Sequence, residues 1–502
     1  MKMSIAGRLP VLRLAGLTAA ALAIHGYHLG VEDSEIYLPA ARSFFHPALY
    51  PYGREFFLKH GHLSLFGPVV AWTSRLTHLS MDWTFFVWYI VTTFAMLACC
   101  WLFVSACFAS LRARWSAVVI MTAVLAMPAA NTGLLLMDRY LTARSFSAPL
   151  SLFALTAVLE RRFARAGVAA ALTVAFHPQM SVYLLFLIVV LWVTELNRSK
   201  ARARVPALAS VAGVIPTQFH FSRAAGPYRE ALFSRDYFFL YNWTWYHWLG
   251  LIGPLAFLLW FGKSDLRGTR PAFKGISFAL VPFGLISIAA AALLCSFPDF
   301  QMFVRLQPLR SFDLVYLIFV PLFGGVAGEY LAKGRPWVVA AVALPLAAGM
   351  FVAARQTFPH SPHVELPTGT SSNPWVNALL WTRRNTPTDA VFAVDSRYFR
   401  DPVVDLHGFR AIAARSALAD YYKDGGVVSL FPDLAESWKD MSNATYGLNH
   451  FSLARFQQLK EEYPVVTWAI IHGTAPAGMD CPYEQRGFSV CRMPPPQANR
   501  RL

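Results

Sequence analysis

The sequence is a succession of apolar runs separated by short basic segments. Membrane-spanning helices satisfy that pattern, and an ordinary soluble core does not. The runs are Leu9 to Leu29, Trp83 to Ser110, Trp115 to Leu136, Ser147 to Leu159, Ala166 to Phe176, Met180 to Leu196, Val205 to Phe219, Trp243 to Phe261, Ile276 to Phe297, Phe312 to Leu331 and Trp337 to Ala354. They predict a polytopic α-helical membrane protein with about 11 transmembrane helices. Only 14% of residues are charged and 56% are hydrophobic, whereas a soluble domain carries roughly a quarter charged residues.

The charge pattern sets the expected orientation. With the N-terminus inside, the inner loops hold Arg112/Arg114, Arg161/Arg162/Arg165, Arg198/Lys200/Arg202/Arg204, Lys263/Arg267/Arg270/Lys274 and Lys333/Arg335. Each is basic, as cytoplasmic loops are. The segment Gly61 to Leu79 carries His62, Pro68, Arg75 and His78 and reads as a helix lying in the membrane interface. Counting it as a span would put every later basic loop outside. The net charge of +16 is spread over these loops and forms no compact patch, which argues against nucleic-acid binding. Lys2, Arg8 and Arg13 precede the first run. Ala21-Leu22-Ala23 is a weak cleavage match, so that run reads as an uncleaved helix.

The odd number of helices leaves the tail outside. Residues 1–354 are expected to form the membrane domain, with the first outer loop and interfacial helices at 30–80. Residues 355–374 read as a linker, and 375–502 as a small C-terminal α/β extracytoplasmic domain. Within it, Asn373 to Arg384 reads as a capped helix, Ala390 to Val394 as a strand, Phe409 to Leu418 as a helix and Asp424-Gly425-Gly426 as a turn. Leu448 to Glu462 reads as a helix, and Pro464 to Ile471 and Gly487 to Met493 as strands. Cys481 and Cys491 flank a turn between strands, where a disulfide requires an oxidising compartment; two free thiols are the alternative. Cys99, Cys100, Cys107 and Cys295 read as buried small hydrophobes.

Three features could carry chemistry. The cluster Glu32-Asp33-Ser34-Glu35 lies just past the first run, at the predicted outer membrane edge. Carboxylates are expensive there unless solvated, paired or functional. Asp33 could serve as a general base, with Glu32 or Glu35 orienting a sugar or holding a divalent cation such as Mg or Mn. The alternative is a solvated loop cap. Arg139 and Arg144, and Arg305 and Arg310, stand beside helix ends on the outer side, where the inside bias predicts few arginines. Guanidinium forks suit a lipid phosphate or pyrophosphate; headgroup contacts, or pairing with Asp138, Asp299 and Asp313, are the alternatives. His177-Pro178 breaks an apolar stretch, either to donate to a phosphate or to cap a helix. His60 and His62 form no complete metal set. The loop Phe219 to Tyr246 mixes Arg223, Arg229 and Arg235 with aromatics and reads as an interfacial belt.

Together these features resemble the GT-C superfamily of polytopic membrane glycosyltransferases. The resemblance rests on Glu32-Asp33-Ser34-Glu35 in a first outer loop, the interfacial helices after it, the helix count and the outer C-terminal domain. It implies a polyprenyl-phosphate-linked sugar as donor and a glycan, lipid or protein as acceptor. It places the catalytic acid at Asp33 or Glu32 and donor-phosphate contacts at Arg139, Arg144, Arg305 or Arg310. The expected function is therefore sugar transfer on the outer face of a bacterial inner membrane, with the C-terminal domain periplasmic. A lipid or solute transporter or flippase, and a noncatalytic membrane assembly protein, are the rival readings.

Overall fold

The computed structural model describes residues 10–199, 223–331 and 335–496. The expected run Val205 to Phe219 lies outside them, as do Lys2, Arg8, Lys200, Arg202, Arg204 and Lys333.

The apolar part of the chain is helical. After α1 (Val11–His25), the first loop, residues 30–80, folds into α2 (Ser34–Ser43), α3 (Glu55–Gly61) and α4 (Phe66–Thr77). Then come α5 (Met81–Cys107), α6 (Leu111–Ala123), α7 (Ala143–Leu159), α8 (Phe163–Phe176) and α9 (Pro178–Ser199). They are followed by α10 (Gly226–Phe233), α11 (Trp245–Lys263), α12 (Pro271–Ser296), α13 (Phe312–Tyr330) and α14 (Pro336–Thr357). Every expected run on described residues carries a helix. Among the described residues, five segments are long and apolar enough to cross a membrane: Met81–Cys107, Pro178–Glu195, Pro271–Ser296, Pro298–Tyr330 and Trp337–Thr357. Val11–His25, Ala143–Leu159 and Phe163–Phe176 are apolar but shorter. The Pro298–Tyr330 segment is 83% buried and sits centrally, packed on α6. The Trp337–Thr357 segment is 11% buried and leaves Leu344, Leu346, Phe351 and Val352 exposed. An apolar face of that kind suits lipid rather than water.

The run Trp115 to Leu136 departs from expectation. Its helix α6 stops at Ala123, and the chain turns back on itself through a bridge between Pro128 and Leu135. Pro128 and Gly133, the latter at φ 71°, break the helix. Leu125, Leu134 and Leu136 are buried, so the apolar character that predicted a longer helix serves a buried loop instead. That loop delivers Asp138 and Arg139 to the site described below.

The C-terminal part contains α15 (Pro374–Asn385), β1 (Val391–Ala393), α16 (Phe409–Ala413), β2 (Ser416–Ala417), α17 (Lys423–Val428), α18 (Ala435–Ala444), α19 (Leu453–Glu462), β3 (Trp468–His472), β4 (Tyr483–Gln485) and β5 (Phe488–Arg492). The strands form one sheet in the order β2-β1-β3-β5-β4, parallel on the β2-β1-β3 side and antiparallel beyond it. Asn373 caps α15 by accepting from the Val376 N–H at 3.2 Å, as its sequence position predicts. Two expectations fail. The helix from Phe409 ends at Ala413, because Ala414 turns left-handed at φ 51° and feeds β2. The Asp424-Gly425-Gly426 turn lies instead inside α17. There Gly425 is required by close approach: a Cβ would stand 3.0 Å from Trp438 Cζ2. Cys481 and Cys491 are joined in a disulfide.

Both faces of this sheet are buried. Phe392 packs with Trp375, Phe409 and Val490 on one side. Val391 and Ala393 face the other side, in a cluster that continues into Tyr50, Phe56 and Phe57 of the first loop. The segment read as a linker is also pinned to that loop. Tyr27 bridges Val364, and Glu365 accepts from the Leu29 N–H at 3.2 Å and meets His407 at 2.9 Å. The first loop and the C-terminal domain thus share one core.

Candidate functional site

Two hollows meet where the first loop, the helix ends and the C-terminal domain converge. The first is a polar cavity of about 390 Å³ lined by Glu32, Asp33, Asp138, Arg139, Arg144 and Arg310, among others. The second is an apolar groove of about 620 Å³ lined by Phe176, Val182, Phe186, Ile286 and Leu306, with Arg305 on its wall. Tyr37, His60, His177, Gln179 and Leu430 belong to both linings, so the two are contiguous.

The acidic cluster divides between two environments. Asp33 stands at the N-cap position of α2 but makes no side-chain capping bond. Its carboxylate accepts from Lys423 Nζ at 3.0 Å, and Lys423 also pairs with Glu32. Glu32 holds a left-handed backbone conformation, φ 52°, which is costly for a residue with a Cβ and orients the pair. The Glu32 and Asp33 side chains stay 33% and 40% exposed while lining the cavity, so they are surrounded by protein yet open to it. Burial pushes the Asp33 carboxyl up, but Lys423 and Arg144 outweigh that and hold it well below the usual carboxylate range. The same carboxylates push Lys423 above its ordinary value, against the opposing effect of burial.

Glu35 does not line the cavity. It is buried, and its two oxygens accept from the Arg410 and Ala411 N–H groups at 2.9 Å each, capping α16. Gly408 makes room for it: a Cβ there would lie 2.2 Å from Glu35 Oε2. Arg410 in turn forms a two-pronged pair with Asp424 at 2.8 and 2.6 Å. The catalytic reading of Glu35 therefore fails on geometry: every oxygen is committed to holding the C-terminal domain against the first loop.

The arginines also differ from one another. Arg144 donates to both oxygens of Asp138, at 2.8 and 2.6 Å, and is locally neutralised. Arg139 is only 7% exposed, yet its guanidinium has no hydrogen bond or ion pair among the described residues; it lies over the Phe358 ring, on which His28 also stacks. Arg310 makes only a 3.4 Å contact with Tyr237 Oη, and its Nε is buried without a partner. A buried cation that lacks a partner is costly unless something anionic arrives. His177 takes the capping role: its Nδ1 accepts from the Met180 N–H at 3.4 Å, at the start of α9. Its ring remains part of both linings. His60 lines the cavity and meets Tyr37 Oη at 3.1 Å, whereas His62 does not.

Lys423 and Arg235 line the cavity, and the sequence reading missed the first and treated the second as part of an aromatic belt. Lys423 opens α17, whose start is fixed by Asp420 Oδ1 accepting from the Tyr422 and Lys423 N–H groups at 2.7 and 2.6 Å. The only signal was a lysine directly before Asp424-Gly425-Gly426, which composition alone reads as a turn.

A divalent cation at Glu32 and Asp33 is a poor match to this donor set. Both carboxylates are occupied by one ammonium, and no group of three or more potential ligands occurs among the described residues. What the arrangement offers is an ionised carboxylate, under-paired guanidinium groups and an apolar channel beside them. No family model matches the chain, and no curated protein matches it in sequence.

Proposed function

We propose that the protein is a GT-C-type membrane glycosyltransferase that moves a sugar from a polyprenyl-phosphate-linked donor to a glycan, lipid or protein acceptor. One observation carries the reading: the polar cavity that contains Asp33, Arg139, Arg144 and Arg310 shares a wall with an apolar groove. That pairing of surfaces suits an amphiphile with an anionic head. In this reading the tail lies along Phe176, Val182 and Phe186, Arg305 borders its entry, and the phosphate reaches Arg139 and Arg310.

The acceptor hydroxyl displaces Lys423 from Asp33 and attacks the anomeric carbon. As the new C–O bond forms, its proton passes to the Asp33 carboxylate. The bond from the anomeric carbon to the phosphate oxygen breaks, and its electron pair stays on that oxygen. The arginines offset the charge that grows there. The residues present give no step that routes through a metal. The chain would sit in a bacterial inner membrane with about eleven spans, a cytoplasmic N-terminus and a periplasmic C-terminal domain, an orientation that suits the disulfide.

The test is transfer of labelled sugar from a polyprenyl-phosphate donor by the purified chain, with Asp33→Asn alongside. Transfer by the wild type and its loss in a folded Asp33→Asn variant support the reading. Full activity in that variant ends the base assignment, and solute flux without transfer favours a transporter.

A further inference from the structure

The cavity wall carries a charge surplus that distinguishes two states of a bound phosphate. Its cationic side chains are Arg139, Arg144, Arg235, Arg310 and Lys423, and its carboxylates are Glu32, Asp33 and Asp138. Five against three leaves two cations in excess. Asp138 neutralises Arg144, and Glu32 and Asp33 surround Lys423, so the excess falls on Arg139, Arg235 and Arg310. Arg139 and Arg310 each keep a buried Nε without a hydrogen-bond partner, and so does Arg235. The other titratable groups on the wall do not cancel it. His60 and His177 are both driven below their ordinary value, first by burial, and carry no charge at pH 8. Asp313, behind the wall in α13, does not line the cavity, although its carboxyl acts on Arg144 and Arg310 from behind. Arg305 on the adjoining groove adds to the same sign.

We infer that this site is built for a lipid phosphate carrying two negative charges, a phosphomonoester dianion, in preference to the singly charged phosphodiester. The inference rests on the proposed lipid-phosphate reading and sharpens it. In the transfer above, the donor is a phosphodiester with one charge. Cleavage of its sugar–oxygen bond leaves a lipid phosphomonoester with two, while the proton goes to Asp33. A wall with two unbalanced cations complements the departing group better than the arriving one, and so favours the transition state over bound substrate. It also makes the spent lipid carrier the tighter ligand.

Two probes separate these states without any turnover: hexadecyl phosphate and its methyl ester, titrated against the full chain in neutral detergent. A phosphomonoester loses its second proton with a pKa of about 6, while the ester keeps one charge throughout. At pH 8 hexadecyl phosphate should bind about tenfold tighter than the ester, the equivalent of ~1.4 kcal/mol. The gap should close on going to pH 5, where both probes carry one charge. Arg139→Met should narrow the gap at pH 8. The wild-type pH dependence stands by itself if that variant does not fold. Equal affinity of the two probes at pH 8 overturns the inference and leaves the lipid-phosphate reading in place. Binding of neither probe overturns both.

Discussion

The tetrapeptide Glu32-Asp33-Ser34-Glu35 meets the C-terminal domain twice, and the two meetings are built in opposite ways. Glu35 is enclosed: it, Arg410 and Asp424 are 0–2% exposed, with each carboxylate oxygen bonded. Glu32 and Asp33 face a cavity, remain a third or more exposed, and share a single lysine contributed by a short helix. One acid–base contact closes a seam and the other is left open to a ligand. Carboxylate oxygens that are all bonded, together with full burial, mark a structural junction. Exposure to a hollow, a left-handed backbone and neighbouring unpaired guanidinium groups mark a site.

The sharpest way to break this contrast is to exchange the two roles by mutation. Asp33→Asn should lower sugar transfer by about 10²–10⁴-fold, the range general-base loss spans, with melting temperature unchanged. Arg410→Met should do the reverse: it strands Asp424 and costs about 3–5 kcal/mol of stability, read as a lower thermal midpoint in detergent. If Asp33→Asn unfolds the protein, or Arg410→Met leaves the midpoint untouched, the two junctions are not different in kind.

A smaller effect tests the lysine. In Lys423→Met the Asp33 carboxyl should rise toward its ordinary value of 3.8, because an attractive charge is gone. The protonated-carboxyl infrared band assigned with Asp33→Asn reports this without substrate. Lys423→Arg should restore the wild-type position. An unmoved band in the methionine variant would mean that Lys423 does not govern Asp33.

The smallest effect is the pH dependence of the seam. Burial pushes Glu35 up to about 7 from 4.5, against the pull of Arg410, so its contribution is fully present below 4.5 and is lost as pH rises through 7. His407 is raised above 6.5 by Glu365 despite burial, so its contribution is present below 6.5 and is lost above it. Glu365, pulled down to about 2 by His407 and His28 although burial opposes this, contributes above 4.5 and fails as pH falls toward 2. Docking of the C-terminal domain should be firmest near pH 4.5 and weaken as the pH rises from there. Amide exchange in α16 should therefore be slower at pH 5.5 than at pH 8.5 after correction for intrinsic rates. Faster exchange at pH 5.5 would refute this assignment.

Legibility in the sequence followed how local each determinant is. The apolar runs, the Asn373 cap and the Cys481–Cys491 pair depend on neighbours in the chain, and each was readable. The arginines beside helix ends stand out in the sequence by their place at the ends of apolar runs. Their ranking does not: Arg144 is neutralised and Arg139 is left unpaired through the fold of residues 124–142, which apolar composition had assigned partly to a helix. Nor could sequence part Glu35 from Asp33, since the partners lie hundreds of positions away, at Arg410 and Lys423. Gly425 was legible only as part of a turn, although Trp438 pressed against it fixes it, as Glu35 fixes Gly408.

The central claim is that the cavity and the groove together hold a lipid phosphate. Lipid mass spectrometry of the purified chain, beside an Arg139→Met/Arg310→Met variant that retains its thermal midpoint, tests it most directly. The account predicts a phosphate-headed lipid retained by the wild type and lost from the double variant. Equal retention in both proteins, or a wild type that carries no phosphate-headed lipid after incubation with one, would contradict it.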